Sequence, residues 1–406
     1  MRVAVVAFFF AVAATVSAYA QPPVPTPLTY QRALEIASSR NLGVAAATRA
    51  RAIRQAAIRT AGELPNPDLS VEFTQDVPHQ VVSLAVPVEL GGKRRRRIDL
   101  AKEELSLAEI DVQTELRTLR RGVRQAFYSL VAADDRVQLA ESLLDLARRF
   151  RDVAQARFET GAAPRLEVLQ SELGITRAET DLELARSTRV ASQAQLNAVM
   201  NLPPQQALAL SGSLSTRGAV VSYEAMLTIA VQSNVDLVAL DRQIAVEQRR
   251  VDLLRAERIP TPAFSVSGLF NAPPDFTSAV GVGVSLSLPI FSRNQGAIAQ
   301  SIETTSQLRT RREATLRSVE NNVFGVVARI EAQRRQLDAY EQRLVPTATE
   351  LEALAQESYR AGRTSVLGVL DAQRSLRDLR REALQAALDM QLSLADLEEI
   401  LGTEIP

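Results

Sequence analysis

The feature that most constrains the fold is a tandem duplication in which long helical patterns dominate both copies. Phe158–Gly161 aligns with Tyr359–Gly362 at an offset of 201 residues (362 − 161), and Leu28–Tyr30 matches Val221–Tyr223 further upstream. Between residues 296 and 359 apolar residues recur at three- and four-residue steps, which predicts one long helix. A helix of that length spans roughly 100 Å at 1.5 Å per residue. No compact globular domain needs such a rod.

The repeats divide the rest of the chain into short flanking segments. Arg2, an apolar stretch over 3–16 and the small residues of Ala18-Tyr19-Ala20 are typical of a secretory signal peptide. The predicted segments are a signal peptide (1–20), an extended leader (21–27), a first repeat (28–201), a linker (202–220), a second repeat (221–402) and a C-terminal tail (403–406). We interpret the linker as a surface connection within one domain, because neither repeat has a core of its own.

Composition excludes several classes of function. The chain has 47 basic and 47 acidic residues, so its charge gives no reason to expect nucleic acid as a partner. It has no cysteine, which excludes disulfides, zinc–thiolate sites and a lipid anchor on cysteine. No nucleophile–base pair or clustered ligand set stands out, so we expect neither an enzyme nor a cofactor or metal site.

Each repeat also contains two segments in which apolar and polar residues alternate, the pattern of β-strands. The predicted strands lie at about 68–76, 80–90, 263–271 and 279–290. A soluble sheet with one solvated face gives this pattern, and so does a membrane barrel with one face toward lipid. Four strands cannot close a barrel, and an open edge in lipid leaves backbone groups unpaired. If the strands span a membrane, several chains share one barrel, and three copies supply twelve strands, an allowed even count.

Beyond the strands, long helices are predicted at about 90–158 and 292–359, each followed by a return helix that ends near 200 or 401. In the first, apolar residues step by three and four, which indicates coiled-coil packing. Gly161 and Gly362 break the long helices. Two helical hairpins result, with tips near 161 and 362.

These residues together resemble the TolC family of outer-membrane efflux channels, over nearly all of the mature chain. The resemblance rests on the duplication, on the two strands inside each repeat, and on the tip at Tyr359–Gly362 followed by Val366–Gln373. Val86–Arg94 and Leu288–Gly296 are similar to the strand-to-helix junctions of the CzcC-like branch, whose members serve heavy-metal efflux.

The resemblance implies a mainly α fold with a small β part, TolC-like, built from two tandem repeats of long helices plus two strands. It implies a homotrimer that forms a 12-stranded β-barrel in outer-membrane lipid and a 12-helix periplasmic α-barrel. The location is the outer membrane of a Gram-negative bacterium, with a large periplasmic part. The implied partners are a periplasmic adaptor protein and an inner-membrane RND pump.

The family pattern also assigns roles at the tips. Acidic residues just inside the tips ring the closed end of the tunnel, and Glu167 and Asp371 occupy two such positions. Gly368 and Thr364 depart from the family pattern, which implies a constriction that is less charged and latched differently. Without that alignment, Glu167 and Asp371 would be interpreted as ordinary exposed helix carboxylates. The residues expected at the adaptor docking site are Phe158, Gly161, Tyr359, Gly362 and Thr364.

Two other features carry weaker hypotheses. The basic run Lys93–Arg97 either lies near lipid phosphates where the barrel meets the tunnel, or is a plain solvated helix start. His79, in the predicted loop between two strands, is interpreted as a solvated loop residue because neither a second histidine nor a cysteine is available to help it hold a metal.

The leading functional hypothesis is an exit duct: the outer-membrane channel of a tripartite RND-type efflux system that exports heavy-metal cations. One alternative is the same duct serving drug efflux or type I protein secretion. An alternative of another class is an exported periplasmic coiled-coil protein, structural or adaptor-like, whose strands form a soluble sheet.

Overall fold

The computed structural model describes residues 27–214, 222–272 and 276–405. The predicted signal peptide, the leader up to residue 26 and the end of the linker at 215–220 lie outside the described residues. The helices are α1 (Tyr30–Arg40), α2 (Leu42–Ala61), α3 (Lys93–Glu159), α4 (Arg165–Val199), α5 (Tyr223–Ser233), α6 (Val235–Ala256), α7 (Gln295–Ala339), α8 (Val345–Arg360) and α9 (Val366–Leu401). The strands are β1 (Asp68–Phe73), β2 (Gln80–Pro87), β3 (Pro262–Ala272) and β4 (Phe276–Leu286). The expectation of a mainly helical chain with a small β part is confirmed.

The same side-chain caps begin the short helices of both repeats. Thr29 accepts a hydrogen bond from the backbone N–H of Arg32, at 3.3 Å, and Ser222 does the same for Ala225. Asn41 ends α1 and caps α2, where its Oδ1 accepts from the N–H of Val44 at 3.0 Å. Asn234 has the same place between α5 and α6. An asparagine that satisfies the free N–H groups of the next helix allows the chain to bend with little loss of hydrogen bonding.

The second long helix differs from the prediction of one unbroken helix. α7 ends at Ala339, a π-helical turn occupies Tyr340–Leu344, and α8 follows. In that turn the N–H of Val345 bonds the carbonyl of Tyr340, five residues back. The cause is Pro346, which has no N–H to donate and whose ring clashes with a carbonyl four residues earlier in a regular helix. α3 has no proline and runs for 67 residues without a break.

The four strands form one antiparallel sheet in sequence order, β1-β2-β3-β4. Its apolar side chains align across the strands: Leu69, Leu84, Val266 and Val282 form one row, and all are 46–85% exposed. The row on the other face consists of Ser70, Ser83, Ser267 and Gly281. Hence one face of the sheet is apolar and bare, while the other presents small and polar residues.

Three strands end earlier than the sequence pattern predicts. β1 stops at Phe73, β2 at Pro87 and β4 at Leu286, whereas the alternation had suggested ends near 76, 90 and 290. Pro87 is the last residue of β2 and lacks an N–H, although the N–H of Val88 still bonds the carbonyl of Pro262 at 2.8 Å.

The main cores lie along the middle of the long helices, where the return helices α4 and α9 end. One cluster joins α3 to the end of α4 through Phe127, Leu130, Leu196 and Met200, and Leu214 of the linker packs against it. The other joins α7 to the end of α9. No helix in the described ranges combines the length and apolar character required to cross a bilayer.

Candidate functional site

Both hairpin tips have the same backbone. Gly161 and Gly362 adopt left-handed conformations, with φ of 72° and 69°. The N–H of the residue after each glycine bonds a carbonyl five residues back, from Ala162 to Arg157 and from Arg363 to Ser358, at 2.8 Å in both cases. This is the Schellman motif, which requires a residue that tolerates positive φ. Glycine at each tip is therefore a backbone requirement.

The side chain of Tyr359 is buried between the two hairpins. It is 1% exposed and packs against Phe150 of α3 with 5.4 Å between ring centroids. Val366 and Val369 of α9 complete this cluster. The guanidinium carbon of Arg157 lies 4.3 Å from the ring centroid, and Arg157 also donates a hydrogen bond to the carbonyl oxygen of Tyr359. Residues from both repeats thus hold this tyrosine.

Tyr359 and Glu167 form a direct bond across the two hairpins. The phenol donates to Glu167 Oε2 at 2.5 Å. Burial, followed by the hydrogen bond and the charge of Glu167, raises the pKa of Tyr359 from 10.0 to about 12. The phenol therefore stays protonated at neutral pH and can donate to a carboxylate. Charge-assisted bonds of this kind are roughly twice as strong as bonds between neutral groups.

The equivalent positions of the other repeat lack this arrangement. Phe158, the counterpart of Tyr359, is 40% exposed. Gly368 stands where a counterpart of Glu167 would be, and a Cβ there would lie 3.0 Å from Thr364 Oγ1. One hairpin therefore contributes the tyrosine, and the other contributes its acceptor and its aromatic neighbour.

The predicted site residues separate into two groups. The structure brings Glu167 and Tyr359 together, whereas Asp371 is exposed and makes no hydrogen bond or ion pair within the described part of the chain. Tyr359, expected at a docking surface, has its side chain enclosed, and Phe158 is the exposed aromatic of the tips. Sequence reasoning missed Arg157, because the only available signal was a basic residue one position before Phe158.

The basic run Lys93–Arg97 makes contacts within the chain. Arg94 donates to the carbonyl of Gly62 at 2.6 Å, and Arg97 donates to the carbonyls of Ala61 and Glu63. These carbonyls lie at the C-terminal end of α2, where a helix lacks partners of its own. The other contacts are Lys93 with Thr261 at 2.5 Å, Arg96 with Asp252 and Arg97 with Glu89. Only Arg95 has no such contact in the described ranges, so packing between helices explains most of the run better than lipid phosphates do.

The structure places His79 next to the start of β2. Its Nδ1 lies 3.4 Å from the carbonyl oxygen of Thr74, within the loop between β1 and β2. In the ranges that the structure describes, no group of three or more histidine, aspartate or glutamate side chains is placed to hold a metal ion.

Comparisons with known proteins agree with this geometry. The family model described as "Outer membrane efflux protein" matches residues 30–202 and 226–403. The chain is 28% identical over 385 residues to the cobalt-zinc-cadmium resistance protein CzcC of Cupriavidus metallidurans, covering 93% of this chain and 90% of that protein. It is 27% identical to the nickel-cobalt-cadmium resistance protein NccC of Alcaligenes xylosoxydans xylosoxydans, over 56% of this chain and 51% of that protein.

Solved structures show the same fold at lower identity. The outer membrane protein VceC of Vibrio cholerae superposes with a TM-score of 0.74 at 16% identity, covering 93% of this chain and 97% of that one. CusC, described in terms of transmembrane channel formation, gives 0.74 at 17% identity over 92% of each chain. The predicted TolC-like fold of the chain is confirmed.

Proposed function

This chain belongs to the outer membrane efflux protein family, and from that premise we propose that three copies form a duct that exports heavy-metal cations across the outer membrane. The strands of the three copies form one barrel in the membrane, and their long helices form a periplasmic tunnel. An inner-membrane RND pump supplies the energy, and a periplasmic adaptor joins the pump to the duct. The chain itself conducts cargo and catalyses nothing.

The observation that supports the duct is the architecture of the sheet. One face is apolar and exposed, and in the described residues the outer edges of β1 and β4 are unpaired. The apolar row from Leu69 to Val282 is suited to lipid acyl chains, and the row of Ser70, Ser83, Ser267 and Gly281 is suited to a wet interior. Within the described ranges, β1 and β4 each have a neighbouring strand on one side only. In lipid such edges are tolerated only when another strand pairs with them, so β4 of one copy pairs with β1 of the next.

The metal cargo is supported by the relatives. CzcC, whose name specifies cobalt, zinc and cadmium, matches almost the whole chain, and NccC, named for nickel, cobalt and cadmium, matches about half. A dedicated binding site is not required, because a duct releases its cargo and tight coordination would slow that release.

At the tips, the bond from Tyr359 to Glu167 acts as a latch. It ties α8 to α4 within one copy, so the end of the second hairpin can move away only after this bond breaks. Asp371 is exposed nearby on α9 and has no bonded partner among the described residues. In a trimer it occurs three times, and a ring of carboxylates favours cations over anions.

The exposed apolar side chains of the tips form the adaptor surface. They include Phe158, Leu166 and Leu367, with exposed fractions of 40%, 61% and 58%. Leu166 and Leu367 occupy equivalent positions in the two repeats, so one type of adaptor hairpin has two related docking places on each chain.

The test is growth of a deletion strain on zinc, cadmium, cobalt, nickel, copper and silver salts, beside detergents and hydrophobic antibiotics, with complementation by the intact gene. We expect sensitivity to a subset of the metals, normal growth with detergents and drugs, and full rescue. Sensitivity to detergents and antibiotics with normal metal tolerance would overturn the metal cargo and favour drug efflux. Loss of a secreted protein instead would favour type I secretion.

A further inference from the structure

A groove separates the first hairpin from α9, between the tips and the linker end of the helices. It has a volume of about 780 Å³, and α3, α4 and α9 all line it. Beyond each end of the groove, contacts join the first hairpin to the second. Toward the tips these are the cluster of Phe150 and Tyr359, and toward the linker end the ion pair of Arg121 and Asp396, at 2.8 Å. The hairpins are thus attached beyond both ends of the groove, and within it a side-chain bond from Arg136 crosses between them.

The groove has an apolar floor and a basic rim. Leu139, Leu143 and Leu146 of α3 form the floor, at the three- and four-residue steps of one helix face. Five arginines line it: Arg136, Arg177, Arg374, Arg377 and Arg381. Three carboxylates accompany them: Asp181, Asp378 and Glu382. The lining therefore carries an excess of positive charge.

Most of the carboxylates are already engaged, whereas most of the arginines are not. Arg377 pairs with Asp378, and Glu382 accepts a hydrogen bond from Tyr340. Arg136 donates to Gln385 across the groove. Arg177, Arg374 and Arg381 are exposed and make no ion pair or hydrogen bond with the residues described. Among the carboxylates of the lining, Asp181 alone has no partner in the described ranges.

Two amide atoms of the lining also lack partners. Gln170 Oε1 on α4 and Gln373 Nε2 on α9 are shielded from solvent, and neither has a hydrogen bond in the described part of the chain. Because a shielded polar atom without a partner is destabilising, a ligand or water that bonds to it is favoured. Both residues lie on the helix faces that carry rim arginines, since Gln373 is one turn before Arg377 and Gln170 is two turns before Arg177.

We propose that this groove binds a small amphiphilic organic anion, with its acyl chain on the leucine floor and its carboxylate or sulfate head at Arg177 and Arg374. The apolar floor disfavours a purely inorganic anion, and the unpaired arginines disfavour a cation. The volume lies within the usual range of small-ligand pockets, roughly 300–1,000 Å³. A ligand here touches both hairpins and so affects how they move apart. This inference does not depend on which cargo the duct carries.

The opposite face of the same hairpin provides a matched control. There Arg148 and Arg186 lie among Glu141, Asp145, Glu179 and Glu183, and both arginines are ion-paired. That face has more carboxylates than arginines, so it has no excess of positive charge to attract an anion.

The experiment uses the full-length protein in lipid nanodiscs and a dodecanoate that carries a photoreactive diazirine, with labelled peptides mapped by mass spectrometry. We expect labelling within 139–147 and 370–385, with competition by dodecanoate but not by dodecyltrimethylammonium. The double variant Arg177→Gln/Arg374→Gln should weaken labelling about tenfold, the effect of losing two ion pairs at a partly exposed site. Arg148→Gln/Arg186→Gln should label as the wild type does.

Other outcomes would overturn the proposal. They are labelling confined to the strands or to lipid, equal competition by the cationic amphiphile, and equal loss in both double variants. Size-exclusion chromatography of each variant shows whether it assembles. If a groove variant fails to assemble, competition between the anionic and cationic amphiphiles on the wild type still decides the result. Metal sensitivity of the deletion strain is a separate readout, so failure here leaves the proposed function intact.

Discussion

The two hairpin tips have the same backbone and different side chains. Both end in a Schellman turn around a left-handed glycine, yet Tyr359 is 1% exposed and its counterpart Phe158 is 40% exposed. Glu167, the acceptor of the tyrosine, corresponds to Gly368 in the second repeat. The duplication therefore preserved the turn, where the left-handed backbone favours glycine, and diverged in the contacts. Tyr359 joins the two hairpins of one chain, whereas Phe158 remains exposed and available to another molecule.

The long helices differ in a similar way. α3 is continuous, whereas its counterpart has a π-helical turn before Pro346. The turn is fixed to α9, because Tyr340 donates to Glu382 at 3.1 Å. The interruption lies on the helix that carries Tyr359, so the latch and the irregular turn belong to the same hairpin.

The largest effect is expected from truncating the two aromatics in turn. Tyr359→Ala removes a buried ring and should destabilise the tip by about 3–5 kcal/mol. Phe158→Ala removes a half-exposed ring and should cost about 1 kcal/mol or less. Hydrogen exchange of the amides in 355–370 measures the first effect, and that of the equivalent amides in 154–169 measures the second. Equal protection in the two variants would refute the asymmetry between the tips.

Proline provides the next comparison, because Asp145 of α3 is the counterpart of Pro346 at the same offset. Asp145→Pro should cost about 3 kcal/mol, since it breaks a regular helix. Pro346→Ala should change stability by less than about 0.5 kcal/mol and increase amide protection over 340–346. Thermal unfolding followed by circular dichroism measures the stability change of Asp145→Pro. A mild effect of Asp145→Pro would mean that α3 is as tolerant as its counterpart.

The latch itself should have an intermediate effect. Glu167→Ala leaves the buried phenol without its charged acceptor and should cost about 1.5–3 kcal/mol. A double-mutant cycle with Tyr359→Phe isolates the pair, and we expect strong non-additivity. In planar bilayers, Glu167→Ala should also raise the fraction of open channels. Asp371→Asn is the matched control: it should leave tip stability unchanged and lower cation selectivity.

The smallest effect concerns pH. The pKa of Tyr359 is raised from 10.0 to about 12, so its contribution to stability is complete below pH 10 and is lost as the pH rises through 12. Tyrosinate absorbance should therefore show one late-titrating group fewer in Tyr359→Phe than in the wild type. Titration of that group near pH 10 in the wild type would contradict the buried, hydrogen-bonded phenol.

Much of this architecture could be predicted from the sequence. Glycines 201 residues apart mark two tips because few other residues adopt the left-handed turn. Alternation in Val280, Val282 and Val284 predicts a strand because side chains alternate across a sheet. Local rules of this kind depend on neighbouring residues alone.

The contacts between hairpins could not be predicted in the same way. Glu167 and Tyr359 are 192 residues apart, and whether they meet depends on the rotation of two helices about their axes. A rotation of 100°, the angle of one residue, would separate them. Pro346 was visible in the sequence, but whether it would kink the helix or widen one turn depended on packing against α9.

The central claim is that three copies close one barrel through the free edges of β1 and β4. The chain has no cysteine, so Ser70→Cys on β1 with Ser285→Cys on β4 introduces the only two thiols. Treatment of outer membranes with a short bifunctional maleimide should give covalent dimers and trimers on denaturing gels and nothing larger, while each single variant stays monomeric. Monomers alone from the double variant, or a ladder that continues beyond the trimer, would contradict the claim.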